Sequence, residues 1–95
     1  MSTTERRMAA RANQRAAAFI RFQMLGDHEA MHYLLTDTKD DPTAHLGFVT
    51  ALASIAGILA TSAYGREQAL SYLQTVAESS AALHDSDDID RYFDQ

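Results

Sequence analysis

The sequence predicts an all-α fold: a small bundle of about four helices with a central antiparallel hairpin. Three observations predict it. No segment of the 95 residues alternates apolar and polar side chains at period two, as a half-buried strand does. Gly26, Pro42 and Gly65 fall between long stretches of helical spacing, where helices stop and start. Residues 42–65 carry no formal charge in a chain that is 22% charged, which marks a helix gripped by other helices.

The first helix is predicted from about Thr4 to Leu25: it is Ala-rich, holds no Gly or Pro, and has Thr4 available as a cap. Gly26 suits the left-handed position that ends a helix. Asp27 then caps a short second helix, about His28 to Thr36, followed by a polar connection, Asp37-Thr38-Lys39-Asp40-Asp41. Asp41-Pro42 reads as a cap followed by proline at the first helical position. The third helix extends to about Tyr64, Gly65 makes a tight turn, and the fourth helix covers Arg66 to His84.

The third helix has two unlike faces. Phe48, Val49, Leu52, Ile55, Ala56 and Leu59 form a bulky stripe that predicts a core face. Gly47, Thr50, Ser54, Gly57, Thr61 and Tyr64 step 3-4-3-4-3 along another side. Small residues at this spacing let a second helix backbone approach closely. With no Lys or Glu on it, this face predicts an interface with another helix, from a second copy of the chain. The expected picture is a third helix covered on both sides.

A length of 95 residues allows one domain, 1–95, with an acidic tail at 85–95. Alanine dominates the apolar fraction of 46% and contributes little buried area, so a homo-oligomer, dimer or higher, is the natural remedy. Disulfide and thiolate chemistry are excluded by the lack of cysteine, which fits a reducing cytoplasm. Met1 to Arg7 leads into an Ala/Arg helix rather than a continuous apolar run, so no secretory leader is expected.

The net charge of −5 conceals a split. Residues 1–26 carry Arg6, Arg7, Arg11, Arg15 and Arg21 against Glu5 alone, a net of +4. Residues 27–95 carry three basic residues against twelve acidic ones, a net of −9. Arg7, Arg11 and Arg15 follow one another at i, i+4 and i+8 as a positive ridge. An acidic chain with no recognition motif after the ridge argues against nucleic acid. Pairing of the ridge with acidic groups of the same or a neighbouring chain is the expectation. In the tail, Ile89, Tyr92 and Phe93 fall at i, i+3 and i+4 among aspartates, a second candidate docking element.

Two other function classes have footholds. His28-Glu29-Ala30-Met31-His32 matches HExxH, in which histidines four apart share a zinc ion and the glutamate polarises its water. The third ligand that a zinc hydrolase needs is not selected by spacing: His45, Asp41 and Glu67 are all candidates. No catalytic residue, metal or cofactor is therefore assigned. Residues 42–65 are also long enough to span a bilayer. Thr43, His45, Thr50, Ser54, Thr61 and Ser62 dilute that stretch, and no Trp or basic cluster flanks it closely, which favours a soluble reading over a membrane-associated helical protein.

At the turn before the fourth helix, Gly65-Arg66-Glu67-Gln68-Ala69-Leu70 resembles the Gly-Arg-Glu-x-(Ser/Ala)-Leu run of the phage anti-CBASS cyclic-oligonucleotide sponges. Their helical hairpin is shared with certain Thoeris-defence inhibitors. The resemblance covers residues 42–84, and the downstream run Tyr72-Leu73-Gln74-Thr75-Val76 departs from the family's register. It implies a short, helical, non-catalytic oligomer that sequesters immune nucleotide signals at subunit interfaces. It also implies that Gly65 and Arg66 lie near bound phosphates. The function expected from the whole sequence is a non-catalytic binding module, a phage-type accessory protein that inhibits a host protein or sequesters a small anionic signal.

Overall fold

The computed structural model describes residues 1–85 as four helices: α1 (Thr3–Leu25), α2 (His28–Thr38), α3 (Pro42–Tyr64) and α4 (Arg66–His84). The fold is all-α, with no strand among the described residues. The candidate docking residues Ile89, Tyr92 and Phe93 lie outside the described residues. By compactness the chain falls into two units, Met1–Ile58 and Leu59–Gln95, with the boundary inside α3.

Each helix end has a local cause. Ser2, not Thr4, caps α1: its hydroxyl accepts from the Glu5 amide at 3.1 Å. Ser2-Thr3-Thr4-Glu5 is thus the S-x-x-E pattern of a capping box, shifted two residues from the predicted cap. At the other end Gly26 sits at φ 71°, and the Gly26 and Asp27 amides donate to the carbonyls of Gln23 and Phe22 at 3.1 and 2.9 Å. That pair of bonds is a Schellman stop. Asp27 Oδ1 accepts from the Ala30 amide, and Asp41 Oδ1 accepts from the Ala44 amide, both at 3.1 Å. The two aspartate caps thus stand where the sequence places them. α2 runs two residues further than predicted, to Thr38, taking in Asp37.

In the first unit, α1 and α2 form an antiparallel pair closed by the short Gly26-Asp27 turn. Arg15, eleven residues before the turn, reaches Asp37, ten after it: Nε and Nη2 donate to Asp37 Oδ2 at 3.2 and 3.1 Å. α3 seats on α1 through a seam of small residues. Ala12, Ala16 and Ala51 are buried together, with Leu52 and Ile55 packed against them. Phe19 and Phe48 meet edge-to-face, with ring centroids 5.4 Å apart and planes at 79°. Thr38 is fully buried, and its hydroxyl lies 3.2 Å from His45 Nδ1 and 3.4 Å from the Leu35 carbonyl, so the end of α2 is tied to α3.

The covered stripe of α3 is narrower than the bulky face predicted. Ala44, Gly47, Phe48, Ala51, Leu52 and Ile55 are buried or half-buried, whereas Val49, Ala56 and Leu59 are exposed. One helix against another covers a single 3-4 stripe, and the side chains beside it stay in water. Among the described residues the expected cover on both sides is not met: only 11% of the most apolar stretch of α3 is buried.

In the second unit, Gly65 alone separates α3 from α4. Its amide donates to the Thr61 carbonyl at 2.9 Å and its carbonyl accepts from the Ala69 amide at 3.0 Å, so one residue closes one helix and opens the next. The backbone there, at φ 79° and ψ 159°, is a region that belongs essentially to glycine. Along α4 Ala69 is buried and Leu83 half-buried, while Leu70, Tyr72, Leu73 and Val76 are exposed.

Candidate functional site

Two features read separately from the sequence line one groove in the first unit. The Arg ridge of α1 supplies Arg7, Arg11 and Arg15; the small face of α3 supplies Gly47, Thr50 and Ser54. Ala12 and Ala51 are buried beneath the groove, the exposed Met8 and Leu46 add apolar lining, and Thr43 and Asp41 bring in the N-terminal end of α3. The groove has a volume of about 840 Å³, within the range of small-molecule sites.

The helices place these residues for simple reasons. Arg7, Arg11 and Arg15 project from one side of α1 because i, i+4 and i+8 share a face. Thr43, Gly47, Thr50 and Ser54 do the same on α3. The two helix axes come close because their contact is made by small side chains. A Cβ built on Gly47 would lie 3.6 Å from the Ala12 Cβ. Gly47 therefore meets a helix, as its spacing predicts, and within the chain that helix is α1.

The three arginines have different partners. Arg15 is committed: its side chain is 16% exposed and paired with Asp37 at 3.1 Å. The expectation that the ridge pairs with acidic groups of its own chain thus holds at this residue. Arg11 Nη1 donates to Gln14 Oε1 at 2.9 Å, which aligns the guanidinium without neutralising it. Arg7 has no hydrogen-bond or ion-pair partner among the described residues. Two exposed guanidiniums thus line the same groove as the hydroxyls of Thr43, Thr50 and Ser54 and the N-terminal end of α3, a composition that favours an anion. Asp41, the one carboxylate at the groove among the described residues, has Oδ1 engaged by the Ala44 amide.

The remaining sequence-predicted residues lie elsewhere. Gly57, Thr61 and Tyr64 are exposed, and a Cβ on Gly57 would meet nothing within 4 Å. Arg66 is the first residue of α4 and exposed, beside a Gly65 that offers no side-chain cap. His28, Glu29 and His32 are exposed on α2. Among the described residues, no group of three His, Asp or Glu side chains is placed to hold a metal ion. Of the three candidate third ligands, His45 faces Thr38 and Asp41 caps α3.

Sequence reasoning missed Thr43 and Leu46 as groove residues. The signal lay in the spacing of Thr43, Gly47, Thr50 and Ser54, which extends the small face one turn toward Asp41. Comparison with protein-family models, curated proteins and solved structures returned no match.

Proposed function

We propose that this chain is a non-catalytic helical binding module that self-associates and holds a small anionic ligand of nucleotide type in the α1–α3 groove. The observation that carries this reading is that Arg7 and Arg11 line one groove with Thr43, Thr50 and Ser54 and with apolar side chains. Guanidinium forks suit phosphate oxygens, hydroxyls suit their remaining lone pairs, and Met8 and Leu46 suit a base or other flat apolar part. Such a module acts by withholding its ligand, in keeping with a cytoplasmic phage-type accessory protein. The runner-up occupant is an acidic surface of a host protein, which the same ridge would attract.

Thermal-shift measurement with a panel of cyclic nucleotides tests the reading. A ligand at a hundredfold excess over its Kd adds about 2.7 kcal/mol of stability. Arg7→Ala/Arg11→Ala should abolish that shift. Loss in Arg66→Ala instead would move the site to the Gly65-Arg66 turn, as the sponge resemblance implies. No shift with any nucleotide would contradict the nucleotide reading and leave a host protein as the occupant.

A second reading has its own observation. α3 is 23 residues long, apolar enough to cross a membrane, and mostly uncovered. A membrane-associated helical protein would show that pattern. Recovery of the protein in the membrane fraction after detergent-free lysis would favour it over the binding module.

A further inference from the structure

On α4 the residues Arg66, Leu70, Leu73, Ala77, Ser80 and His84 step 4-3-4-3-4, the spacing of one helix-pairing seam. All six are exposed; Leu70 and Leu73 show 55% and 54% of their surface. Ala69 and Leu83, the covered residues of α4, lie on a neighbouring stripe. Two leucines of this 19-residue helix thus stand in water, and among the described residues nothing covers this face.

From its own composition we infer that the partner is the same seam of a second copy, packed antiparallel about a two-fold axis near the helix midpoint. In that register Leu73 falls opposite Ala77, Leu70 opposite Ser80, and Arg66 opposite His84. Each bulky residue meets a small one, so the two ridges interdigitate. The ends agree in charge as well. His84 Nδ1 lies 3.1 Å from Asp85 Oδ1, which puts a carboxylate beside the position that Arg66 of the second copy reaches. A parallel pairing would set Arg66 against Arg66 and Ser80 against Ser80, giving like-charge repulsion at one end and a poorly filled seam at the other. An isologous contact of this kind closes on itself and yields a dimer rather than a filament.

The seam shares no residue with the α1–α3 groove, and its inferred pairing invokes no ligand there. It rests only on the self-association part of the proposed function. It also gives Arg66 an ion-pair role in place of a phosphate contact.

Sedimentation equilibrium of the full chain, with cysteine cross-linking, tests this. The wild-type chain should sediment as a dimer and Leu73→Glu as a monomer. Because the chain has no native cysteine, introduced thiols report cleanly. Ala77→Cys mixed with Leu73→Cys should form an inter-chain disulfide that neither variant forms alone. Arg66→Asp and Asp85→Arg should each weaken the dimer, and the double variant should restore it. A monomeric wild-type chain, a dimer indifferent to Leu73→Glu, or Ala77→Cys cross-linking to itself would each overturn the proposal. A monomeric Leu73→Glu chain that still binds anions would show that the groove stands without the dimer. A dimer that binds no anion would show the reverse.

Discussion

The Arg15 guanidinium donates twice to one carboxylate oxygen of Asp37, at 3.2 Å from Nε and 3.1 Å from Nη2. The two residues are 22 apart in sequence and fasten α1 to α2. This bond divides a ridge that looks uniform in the sequence. Arg15 is held by the fold, while Arg7 and Arg11 face the groove and are exposed.

Arg15→Ala should therefore cost stability, by about 1 kcal/mol, since Asp37 is 37% exposed and solvent screens the pair. Arg7→Ala and Arg11→Ala should stay within about 0.5 kcal/mol of wild type, as surface changes do. Urea unfolding of the three single variants separates the two roles.

The two positive-φ glycines should be intolerant of a side chain. At φ 71° Gly26 occupies the left-handed region, where alanine costs about 1–2 kcal/mol. Gly65→Ala should cost at least as much, roughly 1–3 kcal/mol, because its φ 79°, ψ 159° backbone lies in a region that L residues avoid. Equal thermal midpoints for wild type and Gly65→Ala would contradict this geometry.

Gly47 and Gly57 should respond in the opposite sense. Alanine at Gly47 would make an ordinary contact with Ala12 at 3.6 Å, and at Gly57 it would meet nothing within 4 Å. Both lie inside α3, where replacing Gly with Ala gains up to about 1 kcal/mol of helix propensity. Gly47→Leu should instead force α1 and α3 apart and destabilise the chain by about 1–3 kcal/mol. Gly57→Leu separates two cases. With self-association carried by the α4 seam, this variant should leave association unchanged by sedimentation; a monomeric variant would instead place the interface on the small face of α3.

Much of the fold was legible because its boundaries are set by neighbouring residues. Gly26, Asp27, Asp41-Pro42 and Gly65 act through backbone φ angles and cap hydrogen bonds that span three or four positions. The miss at Ser2 came from reading Thr4 alone, when Ser2 and Glu5 together carry the cap. The ending of α2 was misplaced because Asp37 and Thr38 have the look of a polar loop. Asp37 is engaged by Arg15, 22 residues away, and Thr38 by His45 on the next helix, contacts that lie beyond the few positions a local cap spans. The groove was half legible. Periodicity found the Arg ridge and the small face, each a property of one helix. That both line one cavity follows from the angle and closeness of α1 and α3, set by Ala12, Ala16, Gly47 and Ala51. The breadth of the α3 core was overestimated for the same reason, since a bulky residue such as Leu59 is buried only where another helix reaches it.

The central claim, an anionic ligand held between Arg7 and Arg11 on one wall and Thr43 and Thr50 on the other, is tested most directly by NMR titration. A cyclic dinucleotide is added to the ¹⁵N-labelled chain while the arginine Nε–H and backbone amide resonances are followed. The account predicts saturable shifts at Arg7, Arg11, Thr43 and Thr50, with Arg15 changing least because Asp37 already holds it. Unmoved Arg7 and Arg11 resonances, or shifts confined to residues outside the groove, would contradict it.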